Sequence, residues 1–158
     1  MKSGLSLLLW AAGQRFFVPC RRVKEVIPSV DLEPEPRAPA WFAGLFNYRG
    51  AITPVIDLCQ LVSDEGCSNR LSSRIVVFDH QAPDAEARSV GLLAERVTDT
   101  QLLDVQHQRT TRDAGAYFSE VVLDAQGMIH EIDLDRVVRL TLQTLVGRHA
   151  ARELREPA

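Results

Sequence analysis

The stretch GAITPVIDLCQLV, residues 50–62, has an echo in GMIHEIDLDRVV, residues 127–138. Each runs from a glycine through an apolar segment into Ile-Asp-Leu and then a second short apolar stretch. Asp57 falls opposite Asp133, at an offset of 76 residues. A weaker match has nearly the same offset. PCRRVKEVI (19–27) aligns with LAERVTDTQ (93–101), placing Val23 opposite Val97, 74 residues on. Two matches in the same order at similar offsets point to two related halves. A half of about 70 residues is the size of a five-stranded barrel.

The rest of the chain supports an all-β reading. Short runs rich in Val, Ile, Leu and Phe recur, punctuated by turn residues: 5–10, 15–20, 23–27, 51–58, 74–79, 89–97, 119–124 and 127–133. That spacing predicts barrels or a sandwich rather than an alternating α/β sheet. LSLLLW and RFFVPC flank AAGQ and read as a hairpin. Asp124–Gly127 supplies the turn of another. Helix is sparse, with a short turn within APAWFAGLF (38–46) and a C-terminal helix over about 140–155. The connection EPEPRAP (33–39) has no packing face and cannot be a central strand. Its P-x-x-P pair, Pro36 and Pro39, reads as part of that extended connection. HQRTTRDAGA (107–116) reads as an exposed loop.

Composition excludes several classes. The 158 residues are 46% hydrophobic and 25% charged, as in ordinary globular proteins. Eighteen basic against 21 acidic residues give a net charge of −3, with no basic stripe, so nucleic acid is a poor partner. The run Leu5–Trp10 is too short to cross a bilayer and leads through a turn into another strand-like run, which disfavours a signal peptide or membrane insertion. Cys20, Cys59 and Cys67 are odd in number and lack C-x-x-C spacing. They read as buried or incidental thiols in a reducing compartment, neither a disulfide framework nor a zinc site.

Chemistry is thinly supplied. There is no G-x-S-x-G, no glycine-rich phosphate loop, and no histidine pair at i, i+4. Asp57, His130 and Cys20 are the residues a small enzyme would have to use, but they form no constellation of named roles. Asp57 instead follows a strand and precedes a helical turn, the position of an N-cap, and Asp133 repeats it. No cofactor is called for. What remains is Asn47-Tyr48-Arg49-Gly50. Gly50 suits a turn conformation closed to most residues, Asn47 tolerates turn geometry, and Arg49 projects from the entrance to a stiff strand. Pro54 marks a strand edge or bulge.

In order, V-x-E-V-I (23–27), a proline-rich connection, A-P-x-x-x-x-G-L-x-N-x-R-G (38–50) and P-V-I-D-L (54–58) resemble the CheW-like domain family. The likeness runs from about residue 5 to 140, a single domain of two pseudo-repeated β subdomains, leaving 141–158 as a helical tail. It implies two intertwined five-stranded SH3-like barrels sharing a hydrophobic core. It implies no catalysis, but a cytoplasmic adaptor at membrane-associated receptor complexes. Its partners would be the helical hairpin tip of a methyl-accepting-type chemoreceptor and the regulatory domain of a CheA-type histidine kinase in two-component signalling. Carried over position by position, Asn47, Arg49 and Gly50 match the family's N-L-R-G, with Tyr48 at the usual apolar place. Glu25 matches the glutamate of its V-x-E-V/I strand. The expected partner-binding set is thus Glu25, Asn47, Tyr48, Arg49 and Gly50, with a Glu25–Arg49 ion pair. GLLAERV departs from the family's G-L-x-V-D-x-V, with Glu95 at the customary Asp.

Overall fold

The structure, a computed structural model, describes residues 3–67, 71–104 and 117–142. The loop 107–116 and the C-terminal helix expected over 140–155 lie outside the described residues, apart from the helix's first three positions.

Among the described residues, ten strands form two five-stranded sheets. In chain order they are β1 (Ser3–Ala11), β2 (Gln14–Pro19), β3 (Val23–Pro28), β4 (Phe42–Tyr48), β5 (Ala51–Asp57), β6 (Arg74–His80), β7 (Arg88–Ala94), β8 (Arg96–Asp104), β9 (Phe118–Asp124) and β10 (Gly127–Ile132). Helix α1 (Leu58–Ser63) follows β5, and α2 (Leu134–Leu140) follows β10. One sheet has the order β8-β1-β2-β10-β9 and the other β3-β6-β7-β5-β4. The two orders superimpose: β3 corresponds to β8, β6 to β1, β7 to β2, β5 to β10 and β4 to β9. Each sheet has a single parallel pairing in the equivalent place, β5 with β7 and β10 with β2. The two sheets therefore share one topology. The halves are also intertwined, because the N-terminal hairpin β1–β2 completes the sheet built from the C-terminal strands.

Side-chain alternation explains why several strands read as continuous apolar runs. Along β1, Leu7 and Leu9 point into one cluster while Leu8 points into another. Phe16 and Val18 alternate with Phe17 on β2, and Val76 and Phe78 with Ile75 and Val77 on β6. Each strand thus buries one face inside its own barrel and the other in a core shared between barrels. A strand buried on both faces loses the apolar–polar alternation. The shared core takes Leu9, Phe16 and Ile132 from one half and Ile56, Phe78 and Leu92 from the other. Both sheets curl shut. Leu103 on edge strand β8 and Val122 on the opposite edge strand β9 belong to the same five-residue cluster.

The two Ile-Asp-Leu copies do the same work. Asp57 accepts from the backbone N–H groups of Cys59 (2.9 Å) and Gln60 (3.3 Å) at the start of α1. Asp133 accepts from Arg136 N (3.1 Å) at the start of α2. Both are N-caps, satisfying donors that a helix leaves orphaned. Pro54 sits on β5 just before the parallel pairing with β7 begins at Val55. Its missing N–H falls where that side of the strand is still unpaired.

Two expectations are corrected. APAWFAGLF does not form a helical turn; from Phe42 on it is strand β4, paired with β5. Aromatic residues favour a pleated, half-buried surface, and Gly44 at φ 143° is outside helical space. SVGLLAERV is not one strand; it bends at Glu95, so that β7 lies in one sheet and β8 in the other.

Gly44 also admits the connection after β3. Glu33 and Leu45 exchange two backbone hydrogen bonds (2.8 and 2.9 Å), which covers the outer edge of β4. A Cβ on Gly44 would lie 2.7 Å from Leu32 Cβ and 2.8 Å from the Glu33 carbonyl oxygen. Backbone cannot swing away as a flexible side chain can, and the positive φ adds strain. Gly44→Ala is expected to destabilise by about 2–3 kcal/mol, read as a lower midpoint in urea with an unchanged slope. A midpoint equal to wild type would mean the edge cover is not needed.

Candidate functional site

Sheet order places β3 and β4 at opposite edges, yet Glu25 on β3 and Tyr48 on β4 touch. The Tyr48 hydroxyl donates to Glu25 Oε2 at 2.5 Å. Arg49 Nη2 donates to the same oxygen at 3.1 Å, so the expected ion pair is present. The Arg49 guanidinium also lies 5.3 Å from the Tyr48 ring centroid, within cation–π range. Lys24 Nζ approaches the same ring at 5.9 Å and bonds Asp79 Oδ1 and Ser89 Oγ, both at 3.2 Å. The barrel seam is thus closed on its surface by side chains.

Local sequence sets this geometry. Tyr48 pairs with Ala51, leaving Arg49 and Gly50 as a two-residue hairpin loop. Both have positive φ, 50° and 88°, as the primed hairpin turns require. Asn47 Oδ1 accepts from Gly50 N at 2.7 Å and locks the turn. Gly50 occupies its conformation freely. Arg49 does not: a left-handed non-glycine residue costs about 1 kcal/mol or more. The residues signalled the turn and the family resemblance the pair, but neither said that Arg49 itself would take the left-handed position. Nor did either show that Tyr48 would be the shared partner of Glu25 and Arg49.

The arrangement presents the Arg49 cation at its tip. Tyr48 is buried, while the Arg49 side chain is 71% exposed. The hydrogen bond to Glu25 and burial hold the Tyr48 hydroxyl above its usual pKa, so it remains a neutral donor. Glu25 takes only part of the five-donor guanidinium fork, which leaves donors aimed at solvent. Such a group can grip a carboxylate or a row of backbone carbonyls on a partner.

The residues an enzyme would need are occupied elsewhere. Asp57 is buried, capping α1 and also accepting from Cys67 N at 3.1 Å. Burial nonetheless pushes its pKa up, against those hydrogen bonds. His130 packs against the rings of Phe16 and Phe118 at 5.9 Å, and burial pushes its pKa down. Burial pushes the Cys20 thiol up, away from reactive thiolate character. Asp57 lies in one sheet and His130 in the other.

The cysteine reading needs a correction. Cys59 and Cys67 form a disulfide and Cys20 is free, so they are not three incidental thiols. An odd count left room for one bridge and one spare. The spacing showed nothing because the pairing depends on how the chain reverses after α1. Asp57, Cys59 and Cys67 place one ligand-type atom each within 4.8 Å of one another. The two sulfurs are bonded to each other, so this cluster is read as a bridge beside a cap. Among the described residues, no helix is long and apolar enough to cross a membrane.

A family model described as CheW-like domain matches residues 6–141. The protein named Chemotaxis protein CheW of Rhizobium meliloti (strain 1021) is 29% identical over 140 residues, covering 85% of this chain and 87% of its own. Protein PilI of Pseudomonas aeruginosa is 35% identical over 69 residues, covering 43% of this chain and 39% of its own. Among solved structures, the scaffolding protein TtCheW from Thermoanaerobacter tengcongensis superimposes with a TM-score of 0.72 at 21% identity, covering 85% and 86% of the two chains.

Proposed function

The chain belongs to the CheW-like domain family, and on that premise we propose that it is a non-catalytic adaptor. It couples the cytoplasmic helical hairpin of a chemoreceptor to the regulatory domain of a CheA-type histidine kinase, and it acts in the cytoplasm at receptor complexes. The unit assigned to this role is residues 5–140, with 141–158 a tail. Glu25, Asn47, Tyr48, Arg49 and Gly50 form the partner-binding site. Arg49 makes the contact, Glu25 and Tyr48 orient it, and Asn47 and Gly50 build the turn that displays it.

The observation that carries this reading is the left-handed Arg49 at φ 50°. Glycine or asparagine would hold that position at less cost. The side chain there is largely exposed, so its folding contribution through Glu25 is about 0–1 kcal/mol. A strained backbone that supports an exposed, pre-aimed cation is the pattern of a binding site. Size-exclusion chromatography of a receptor hairpin fragment, a kinase regulatory domain and this protein tests it. The expected result is one peak containing all three, with receptor fragment and kinase domain separating when the protein is omitted. Binding to neither partner would defeat the proposal.

A further inference from the structure

We propose that Cys59 and Cys67 are a reversible redox-modification site, a dithiol–disulfide clasp that fastens the chain after α1 to the end of the β3–β4–β5–β6–β7 barrel. Three features carry this. The first is the bond itself, joining residues eight apart across α1 and the turn that follows. The second is unequal access: Cys59 is 1% exposed, whereas Cys67 is only partly buried. The third is the clasp's surroundings. Cys67 N donates to Asp57 (3.1 Å), and Cys67 borders a cavity of about 270 Å³ with Val30, Leu32, Ala43 and Leu93. Cys59 Sγ lies 3.6 Å from Glu95 Oε1, a carboxylate that also accepts from Ala12 N (3.2 Å) in the β1–β2 turn. Glu95 stands at the bend where the chain passes from one sheet to the other.

The chemistry follows from that layout. A small thiolate attacks Sγ of Cys67, the more exposed residue of the pair, and the Cys59–Cys67 bond breaks. The electron pair leaves on Cys59 Sγ, which takes up a proton. A second thiol displaces Cys67 from the mixed disulfide, and Cys67 is protonated in turn. Two thiols become one disulfide, and two electrons and two protons enter the protein. Charge developing on Cys59 faces the Glu95 carboxylate, which opposes its departure. Glu95 therefore slows the exchange. A bridge in a reducing cytoplasm falls in the redox-sensing class rather than the structural one. That last step alone rests on the adaptor reading; the exchange itself does not. Reduction frees Asp64–Cys67 from the Asp57 cap and opens the cavity wall. The Arg49 turn, at the other end of β5 and about 20 Å away, is untouched.

The test uses the full chain equilibrated in glutathione mixtures of graded potential, quenched with an alkylating agent and weighed intact. Cys59 and Cys67 are expected to appear as a pair in one two-electron transition, with Cys20 alkylated throughout. Amide exchange over 64–67 is expected to rise at least tenfold on reduction. Glu95→Gln is expected to be reduced by glutathione about tenfold faster. Cys67→Ser serves as a locked-open reference, and wild type in its two redox states is the comparison that does not depend on any variant folding. Alkylation of Cys67 under oxidising glutathione, a bridge that resists reduced glutathione in the folded chain, or unchanged exchange over 64–67 would each overturn the proposal. Loss of partner binding by an intact, switching clasp would instead count against the adaptor reading.

Discussion

Arg49→Gly is expected to weaken capture of a chemoreceptor hairpin fragment by at least 30-fold while leaving the protein as stable as wild type, or more so. The two effects separate because Arg49 plays two parts. Its backbone sits at φ 50°, where glycine is at ease, so the substitution removes strain worth about 1 kcal/mol. Its side chain is an oriented, mostly exposed cation, and arginines of that kind are frequent binding hot spots, worth about 2 kcal/mol or more. Arg49→Glu should abolish detectable capture, because it sets two carboxylates side by side at the tip of the hairpin. Its melting temperature should move by no more than about 2 °C, since the lost pair is exposed. Titration calorimetry and thermal melts read both quantities. A destabilised Arg49→Gly with full binding would make Arg49 a folding residue and remove it from the site.

The second large effect concerns the other barrel. Arg15 on β2 reaches across β10 to Asp124 at the end of β9, through two hydrogen bonds of 2.6 Å. Asp124 also accepts from Gln126 N (2.8 Å) and so holds the β9–β10 turn. The Arg15 side chain is 8% exposed. Asp124→Ala removes the anion, leaves that guanidinium only the long 3.4 Å bond to Gln126 Oε1, and loosens the turn as well. The site is shielded but close to the surface, so the low end of a broken buried pair applies, about 3 kcal/mol. The pair raises the Arg15 pKa, while Arg15 holds the Asp124 carboxyl below its usual range. A lowered folded-state value means the ionised carboxylate favours the fold. That contribution is full above the unfolded value of about 4 and is lost as pH falls through the folded one. Asp135 behaves alike, held low by Arg22 at 2.9 Å and by His80. Asp57 runs the other way, since its raised value favours the protonated fold and works against stability as pH rises through it. Acid unfolding of wild type should therefore steepen below about pH 4, and Asp124→Ala should show a shallower acid limb. Equal acid limbs in urea titrations at graded pH would contradict the assignment.

The repeated Ile-Asp-Leu was the most legible feature of the chain. It exposed the two halves and identified Asp57 and Asp133 as caps, because a cap is a local device written in adjacent residues. The hairpin of Arg49 and Gly50 was legible for the same reason. What the sequence concealed was non-local. Nothing near Tyr48 says that Glu25, 23 residues earlier, will meet it across a closed barrel seam. APAWFAGLF (38–46) looked helical in isolation, and from Phe42 on it became a strand because β5 and Glu33 offered it partners on both edges. SVGLLAERV looked like one strand and was divided at Glu95, because the two halves exchange strands there. Cys59 and Cys67 pair only once α1 has turned the chain back on itself. The swap of the N-terminal hairpin into the C-terminal sheet left no local mark at all, beyond the near-equal offsets of the repeat.

Reconstituted kinase activity reads coupling itself. Autophosphorylation of a CheA-type kinase would be followed with receptor cytoplasmic fragments, with and without this protein, and with its Arg49→Glu form. Receptor fragments are expected to change the kinase rate only when the wild-type protein is present, and Arg49→Glu is expected to behave like its omission. A kinase rate that responds to receptor equally well without the protein would contradict it.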